Sequence, residues 1–94
     1  MMNGIFLDNA ATTRTDPEVV EAMQPWLGDN FGSPATLYTL GSQAKQVLEE
    51  ARQSVGDLIG AEAGEIFFTS GATEANNWAI KGVTDALQGQ GKHI

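Results

Sequence analysis

The chain has no cysteine among its 94 residues. That absence excludes disulfides, thiolate metal ligands and a thiol nucleophile within these residues. Basic residues are scarce: five Lys and Arg stand against twelve Asp and Glu, a formal charge of -7. Without a basic cluster, nucleic-acid binding and attachment to an anionic membrane have no electrostatic footprint. No apolar run approaches the roughly 20 residues that a membrane-spanning helix needs. The N-terminus lacks a charged region followed by an apolar one, so no signal peptide is read there. A soluble, cytoplasmic protein is the expectation. The length suits one small domain that buries on the order of 60–65% of its unfolded surface.

What is present centres on one stretch, Ile66-Phe67-Phe68-Thr69-Ser70-Gly71-Ala72-Thr73-Glu74. Consecutive large apolar residues without polar alternation predict a strand buried on both faces, as in a parallel sheet covered by helices. Ser70-Gly71-Ala72 clears bulk from the turn that follows, and Gly71 is expected to take backbone angles closed to other residues. From Thr73 onward, Ala75, Trp78, Ala79, Val83, Ala86 and Leu87 recur at helical spacing. Strand, turn and helix N-terminus place free N–H groups and a positive dipole end around one point. Ser70 and Thr73 add hydroxyl donors, so the point suits an anion, most simply a phosphate. The plainer reading is that Thr73 caps the helix and Gly71 makes the turn. Spacing alone leaves both open, because the stretch is neither the lysine-bearing P-loop nor the dinucleotide glycine pattern.

Ile5-Phe6-Leu7 predicts a small strand that ends at the turn-forming pair Asp8-Asn9. Ala10-Ala11-Thr12-Thr13 is either a connector or a place where backbone comes close to something. Asp16-Pro17-Glu18 is a helix start, with Asp16 as the cap, Pro17 at the first helical position and Glu18 at the positive dipole end. Val19, Val20, Met23, Trp26 and Leu27 form its apolar stripe. Pro25 should kink or end the helix near Gln24. A loop is expected from Asn30 to Leu40, with Phe31, Leu37 and Tyr38 to bury. The second helix carries Ala44, Val47, Leu48, Ala51, Val55, Leu58 and Ile59 on one face, and Gly60 stands where a C-terminal glycine belongs. Glu49, Glu50, Arg52 and Gln53 are expected on its solvated face. Ala61 to Glu65 reads as a polar turn into the central strand. Gly89 and Gly91 close the third helix, and Lys92-His93-Ile94 looks like the start of another strand. The right-handed crossover rule would set that strand parallel to Ile66–Thr69. A sequence that stops there is expected to be the front of a larger α/β protein.

Several motifs agree in order and spacing. They are Leu7-Asp8-Asn9-Ala10-Ala11-Thr12-Thr13, Asp16-Pro17-Glu18-Val19, Phe31-Gly32-Ser33-Pro34, Phe68 to Asn77, and Ala79-Ile80-Lys81-Gly82. Together they resemble the N-terminal part of a cysteine desulfurase, a class V aminotransferase relative with the pyridoxal-phosphate fold of aspartate aminotransferases. The resemblance runs over nearly the whole chain and implies an α/β fold, helix-rich here, with three main helices and one or two short strands. It implies a small-domain segment over residues 1–15 and the beginning of the large cofactor-binding domain over 16–94. It also implies that Gly71, Ala72 and Thr73 bind pyridoxal 5'-phosphate, with Ala72 and Thr73 as the phosphate contacts. Leu7 to Thr13 would pass near the substrate end of the site. Ser33 and Tyr38 depart from the family's frequent Asn and His at those positions.

The activity implied is conversion of L-cysteine to L-alanine, with sulfur passed to an enzyme cysteine for iron–sulfur or thio-cofactor assembly. A homodimer and a sulfur-acceptor or scaffold protein are the implied partners. The family's Schiff-base lysine, stacking histidine, ring-pairing aspartate and catalytic cysteine are expected beyond Ile94. Lys45, Lys81 and Lys92 do not match the lysine's position, and His93 reads as a strand-edge residue. No catalytic residue and no metal ligand is assigned, and the chain by itself is expected to be inactive. A selenocysteine lyase or an aminotransferase of the same group is the alternative enzyme. A non-catalytic folded or self-associating fragment is the alternative outside enzymes.

Overall fold

The structure, a computed structural model, describes residues 4–93. Among them run three α-helices, α1 (Pro17–Met23), α2 (Thr39–Ile59) and α3 (Ala72–Ala86), with 3-10 turns at Gln24–Leu27 and Ala63–Glu65. The chain divides into two units between Glu49 and Glu50, within α2.

In the first unit, α1 begins as its residues require. Asp16 is extended (φ -60°, ψ 138°) and its carboxylate accepts the Glu18 N–H at 2.9 Å, with Pro17 at the first helical position. Such a cap is worth about 1 kcal/mol. Pro25 has no N–H to continue the ladder, and the chain tightens into the 3-10 turn directly after Met23. The Pro25 carbonyl then accepts the Asn30 N–H at 3.0 Å.

The start of α2 differs from expectation. The helix begins at Thr39, inside the predicted Asn30–Leu40 loop. A turn precedes it, in which the Thr36 N–H (3.0 Å) and hydroxyl (2.8 Å) both donate to the Ser33 carbonyl. Gly41 is buried against this turn, and a Cβ placed on it would stand 2.7 Å from the Ser33 oxygen. Only a residue without a side chain lets the first turn of α2 lie so close to the preceding turn.

In the second unit, α2 ends on Gly60, whose φ is +72°. The Ala61 N–H donates to the Gly56 carbonyl at 2.9 Å, the six-to-one bond that closes a helix through a left-handed glycine. The expected polar turn from Ala61 to Glu65 contains a 3-10 helix held by a capping box. Its Glu62 N–H donates to Glu65 Oε2 at 2.9 Å, and the Glu62 carboxylate takes the Glu65 N–H in return. The chain leaves it extended at Ile66 (φ -96°, ψ 124°).

No strand forms among the described residues, which corrects the expectation of one or two short strands at Ile5–Leu7 and Ile66–Thr69. A strand is completed by a hydrogen-bonded neighbour, and neither segment has one among these residues. Nor is the central segment buried on both faces: Phe67 is 62% exposed and Phe68 47%. Side chains nevertheless leave it in two directions. Phe67 meets Trp78 of α3 edge-on (ring centroids 5.3 Å apart, 63° between planes), while Phe68 lies under the Arg52 guanidinium of α2 at 5.2 Å. These contacts contribute about 0.5–1.5 and 0.5–1 kcal/mol respectively. The strand expected to begin at Lys92 is not formed at Lys92 or His93, and Ile94 lies outside the described residues.

Candidate anion site at the start of the third helix

The segment Ile66 to Thr69 delivers the chain to the N-terminus of α3, and α2 holds it there. Arg52 donates to the Ile66 carbonyl as well as covering Phe68. This corrects the assignment of Arg52 to a solvated face. Apolar periodicity places the residue off the buried stripe, but it says nothing of how far a long stem and planar guanidinium reach.

At the turn, Gly71 is the N-cap of α3 and has no side chain to satisfy the first-turn donors. The first intrahelical bond runs from the Ala75 N–H to the Gly71 carbonyl at 3.1 Å. The N–H groups of Ala72, Thr73 and Glu74 therefore precede the ladder and face out of the helix end, where the dipole is positive. Thr73 is the second helical residue, not the cap, so the plainer reading of its role does not hold. Its carbonyl accepts the Asn77 amide at 2.8 Å. Gly71 itself is extended (φ 167°, ψ -179°), a conformation open to any residue, which corrects the expectation of glycine-only angles. What the glycine provides is space, since a Cβ built there meets nothing within 4 Å.

Ser70 behaves differently from the donor expected of it. Its N–H (2.8 Å) and hydroxyl (2.6 Å) both donate to Glu74 Oε2, a carboxylate on the first turn of α3. The hydroxyl bond first, and the N–H bond second, hold the Glu74 carboxyl below its ordinary range. The Thr69 hydroxyl donates to the Gly71 carbonyl at 3.1 Å, closing the turn from the other side. Glu74 was not singled out from the sequence. The available signal was a serine four residues before a glutamate at a helix start, close to the capping-box spacing.

The structure thus gathers Gly71, Ala72 and Thr73 at one helix end, with both Ser70 donors engaged by Glu74. Grooves follow α3 on several sides, one of about 380 Å³ beside Phe67 and Trp78, another of about 510 Å³ along Ile80, Val83 and Leu87, and a third of about 470 Å³ lined by Glu74, Asn77 and Lys81. None of the three is lined by Gly71, Ala72 or Thr73. All are stretches of open helix face, so the donor geometry and not the grooves marks the candidate site. Leu7 to Thr13 lies in the first unit, where the Ala11 N–H donates to the Asp8 carbonyl at 3.1 Å. Among the described residues there is no cluster of three or more metal-ligating side chains. No helix among them is long and apolar enough to cross a membrane.

The family model described as Aminotransferase class-V matches residues 5–94. Cysteine desulfurase IscS of Methanosarcina thermophila is 49% identical over 90 residues, which is 96% of this chain and 22% of that protein. Cysteine desulfurase IscS of Dictyoglomus turgidum is 49% identical over 94 residues, covering 100% of this chain and 24% of the relative. Among solved structures, a NifS-like protein matches with a TM-score of 0.81 at 38% identity, over 88% of this chain and 23% of its own. The chain spans less than a quarter of the length of these relatives.

Proposed function

The chain belongs to the class V aminotransferase family, and from that premise we propose that it forms the phosphate-binding wall of a pyridoxal-phosphate-dependent cysteine desulfurase. The observation that carries this reading is the 49% identity, across the whole chain, with a protein named as that enzyme. The local geometry fits the group: first-turn N–H groups without a capping side chain, a threonine at the second helical position, and open space at Gly71. An anion of phosphate's size and charge is what such a helix end accommodates.

In this reading Ala72 and Thr73 donate their N–H groups to the phosphate and Thr73 adds its hydroxyl. Gly71 keeps side-chain atoms out of the ligand's path. The cofactor, when bound, supplies the electron sink for chemistry at the α-carbon of an amino acid. The residues of this chain contribute by binding and orienting it, because a cofactor anchored by its phosphate presents its ring in one direction. The substrate is L-cysteine and the products are L-alanine and sulfur carried on an enzyme thiol. That thiol is not among these residues, which include no cysteine. A homodimer, a sulfur-acceptor or scaffold protein, a cytoplasmic location and a role in iron–sulfur or thio-cofactor assembly complete the proposal. So does the division into a small-domain segment (1–15) and the start of a large domain (16–94).

Thr73→Ala tests the site. Losing one hydrogen bond to a charged phosphate costs about 1.5–3 kcal/mol, so the Kd for pyridoxal phosphate should rise roughly 10- to 150-fold in the full-length protein. Thr73→Ser should recover most of the affinity. Unchanged affinity in the alanine variant would count against the assignment.

A further inference from the structure

The turn before α3 contains a carboxylate that the phosphate reading does not use. Glu74 is the third residue of α3, yet its Oε2 reaches back across Thr73, Ala72 and Gly71 to take both donors of Ser70, at 2.6 and 2.8 Å. A hydroxyl has one proton to donate, and that of Ser70 is committed. Toward a ligand the Ser70 oxygen can act only as an acceptor, which a phosphate dianion does not want. The same bridge closes the turn around Gly71, the residue in it with the most backbone freedom to lose.

Resting on the phosphate reading, we propose that Glu74 is a positioning residue. By engaging Ser70 it holds the turn in its ligand-ready shape and reserves the anion for the Ala72 and Thr73 side. Its own negative charge is partly satisfied by the two Ser70 donors. Left unpaired, that charge would repel a phosphate at the same helix end more strongly. The Glu74 carboxylate acts through Ser70 and does not touch the ligand.

The experiment uses the full-length protein with pyridoxal phosphate and reads the Kd together with the 31P resonance of the bound cofactor's phosphate. Ser70→Ala, Glu74→Ala and the double variant form a cycle, with Glu74→Gln as the conservative variant and Thr73→Ala as the reference for the site. Glu74→Ala should raise the Kd about 5- to 10-fold, as expected for losing one hydrogen-bonded brace, and should shift the 31P resonance. The double variant should bind no worse than Glu74→Ala, because Glu74→Ala already removes both bonds, the hydroxyl's and the N–H's. Glu74→Gln, which keeps an acceptor oxygen, should stay near the parent. If Glu74→Ala does not fold, Ser70→Ala carries the test: it loses the hydroxyl bond and keeps the N–H bond, and should raise the Kd by a smaller factor, about 2- to 5-fold, with Glu74→Gln near the parent. Binding as tight as the parent or tighter, with an unmoved resonance, overturns the proposal. So do losses at Ser70 and Glu74 that multiply. Insensitivity to Thr73→Ala sinks the phosphate reading itself, whereas sensitivity to Thr73 without sensitivity to Glu74 sinks only this inference.

Discussion

Gly71→Ala separates the demands of folding from those of binding at one position. The residue is extended at φ 167° and ψ -179°, and a Cβ there meets nothing within 4 Å, so the folded chain has room for alanine. The remaining cost is that alanine is a poorer N-cap than glycine, about 0.5–1.5 kcal/mol. A protein with a stability of about 5 kcal/mol keeps about 4 after a loss of 1, and remains more than about 99% folded. Partial unfolding therefore cannot imitate weaker binding. If a phosphate sits against the turn, the added methyl occupies the ligand's space and displaces at least one charge-assisted hydrogen bond. That costs about 1.5–3 kcal/mol, or roughly a 10- to 150-fold rise in Kd. Thermal unfolding and a fluorescence titration with pyridoxal phosphate, on the same full-length preparation, measure the two effects side by side. A folded variant whose Kd changes by less than about 3-fold would refute the reasoning, because the ligand would then not approach Gly71.

Gly41→Ala should do the reverse and damage the fold. Its Cβ would meet the Ser33 carbonyl oxygen at 2.7 Å, an overpacking cost of about 1–3 kcal/mol that exceeds the helix-propensity gain of at most about 1. A urea midpoint that does not fall would show that the start of α2 does not rest on the Ser33–Thr36 turn. Because the Glu74 carboxyl is held below its ordinary range by Ser70, its bridge stabilises the fold above the unfolded carboxylate pKa. The bridge is lost as pH falls through the depressed folded value. An NMR titration of the Glu74 side chain should place its midpoint below that of free glutamate, and Ser70→Ala should return it toward the ordinary range. Finally, the 94-residue chain by itself, given pyridoxal phosphate and cysteine, should release sulfide no faster than the cofactor alone, since it has no thiol to accept sulfur. Release above that control would contradict the prediction.

Helix ends were legible because they are local. Asp16, Pro17 and Glu18 sit within one turn of chain, and Asp16 caps the Glu18 N–H as their order predicts. Gly60 takes φ +72° because a helix that must stop there needs the one residue without a steric penalty in that region. The family, too, was legible, since its motifs are runs of consecutive residues. The site was legible only in outline. Gly71, Ala72 and Thr73 do gather at a helix N-terminus, but Gly71 contributes space where special angles were expected. Ser70 serves Glu74 where it was expected to serve the ligand.

What the sequence determined by itself is therefore whatever depends on neighbours within about a turn of chain: caps, helical stripes, the glycine stop, and the order of motifs. Tertiary structure alone decided the rest. Arg52 and Ile66 are 14 residues apart, and no periodicity announces that the guanidinium will take that carbonyl. The close seat of Gly41 against Ser33 needs two segments to meet before the missing side chain acquires a purpose. Ile66, Phe67 and Phe68 have the composition of a buried strand, yet a strand exists only through hydrogen bonds to a neighbour. Among the described residues that neighbour is not present, so no ladder forms there and the Ile66 carbonyl takes Arg52 in its place.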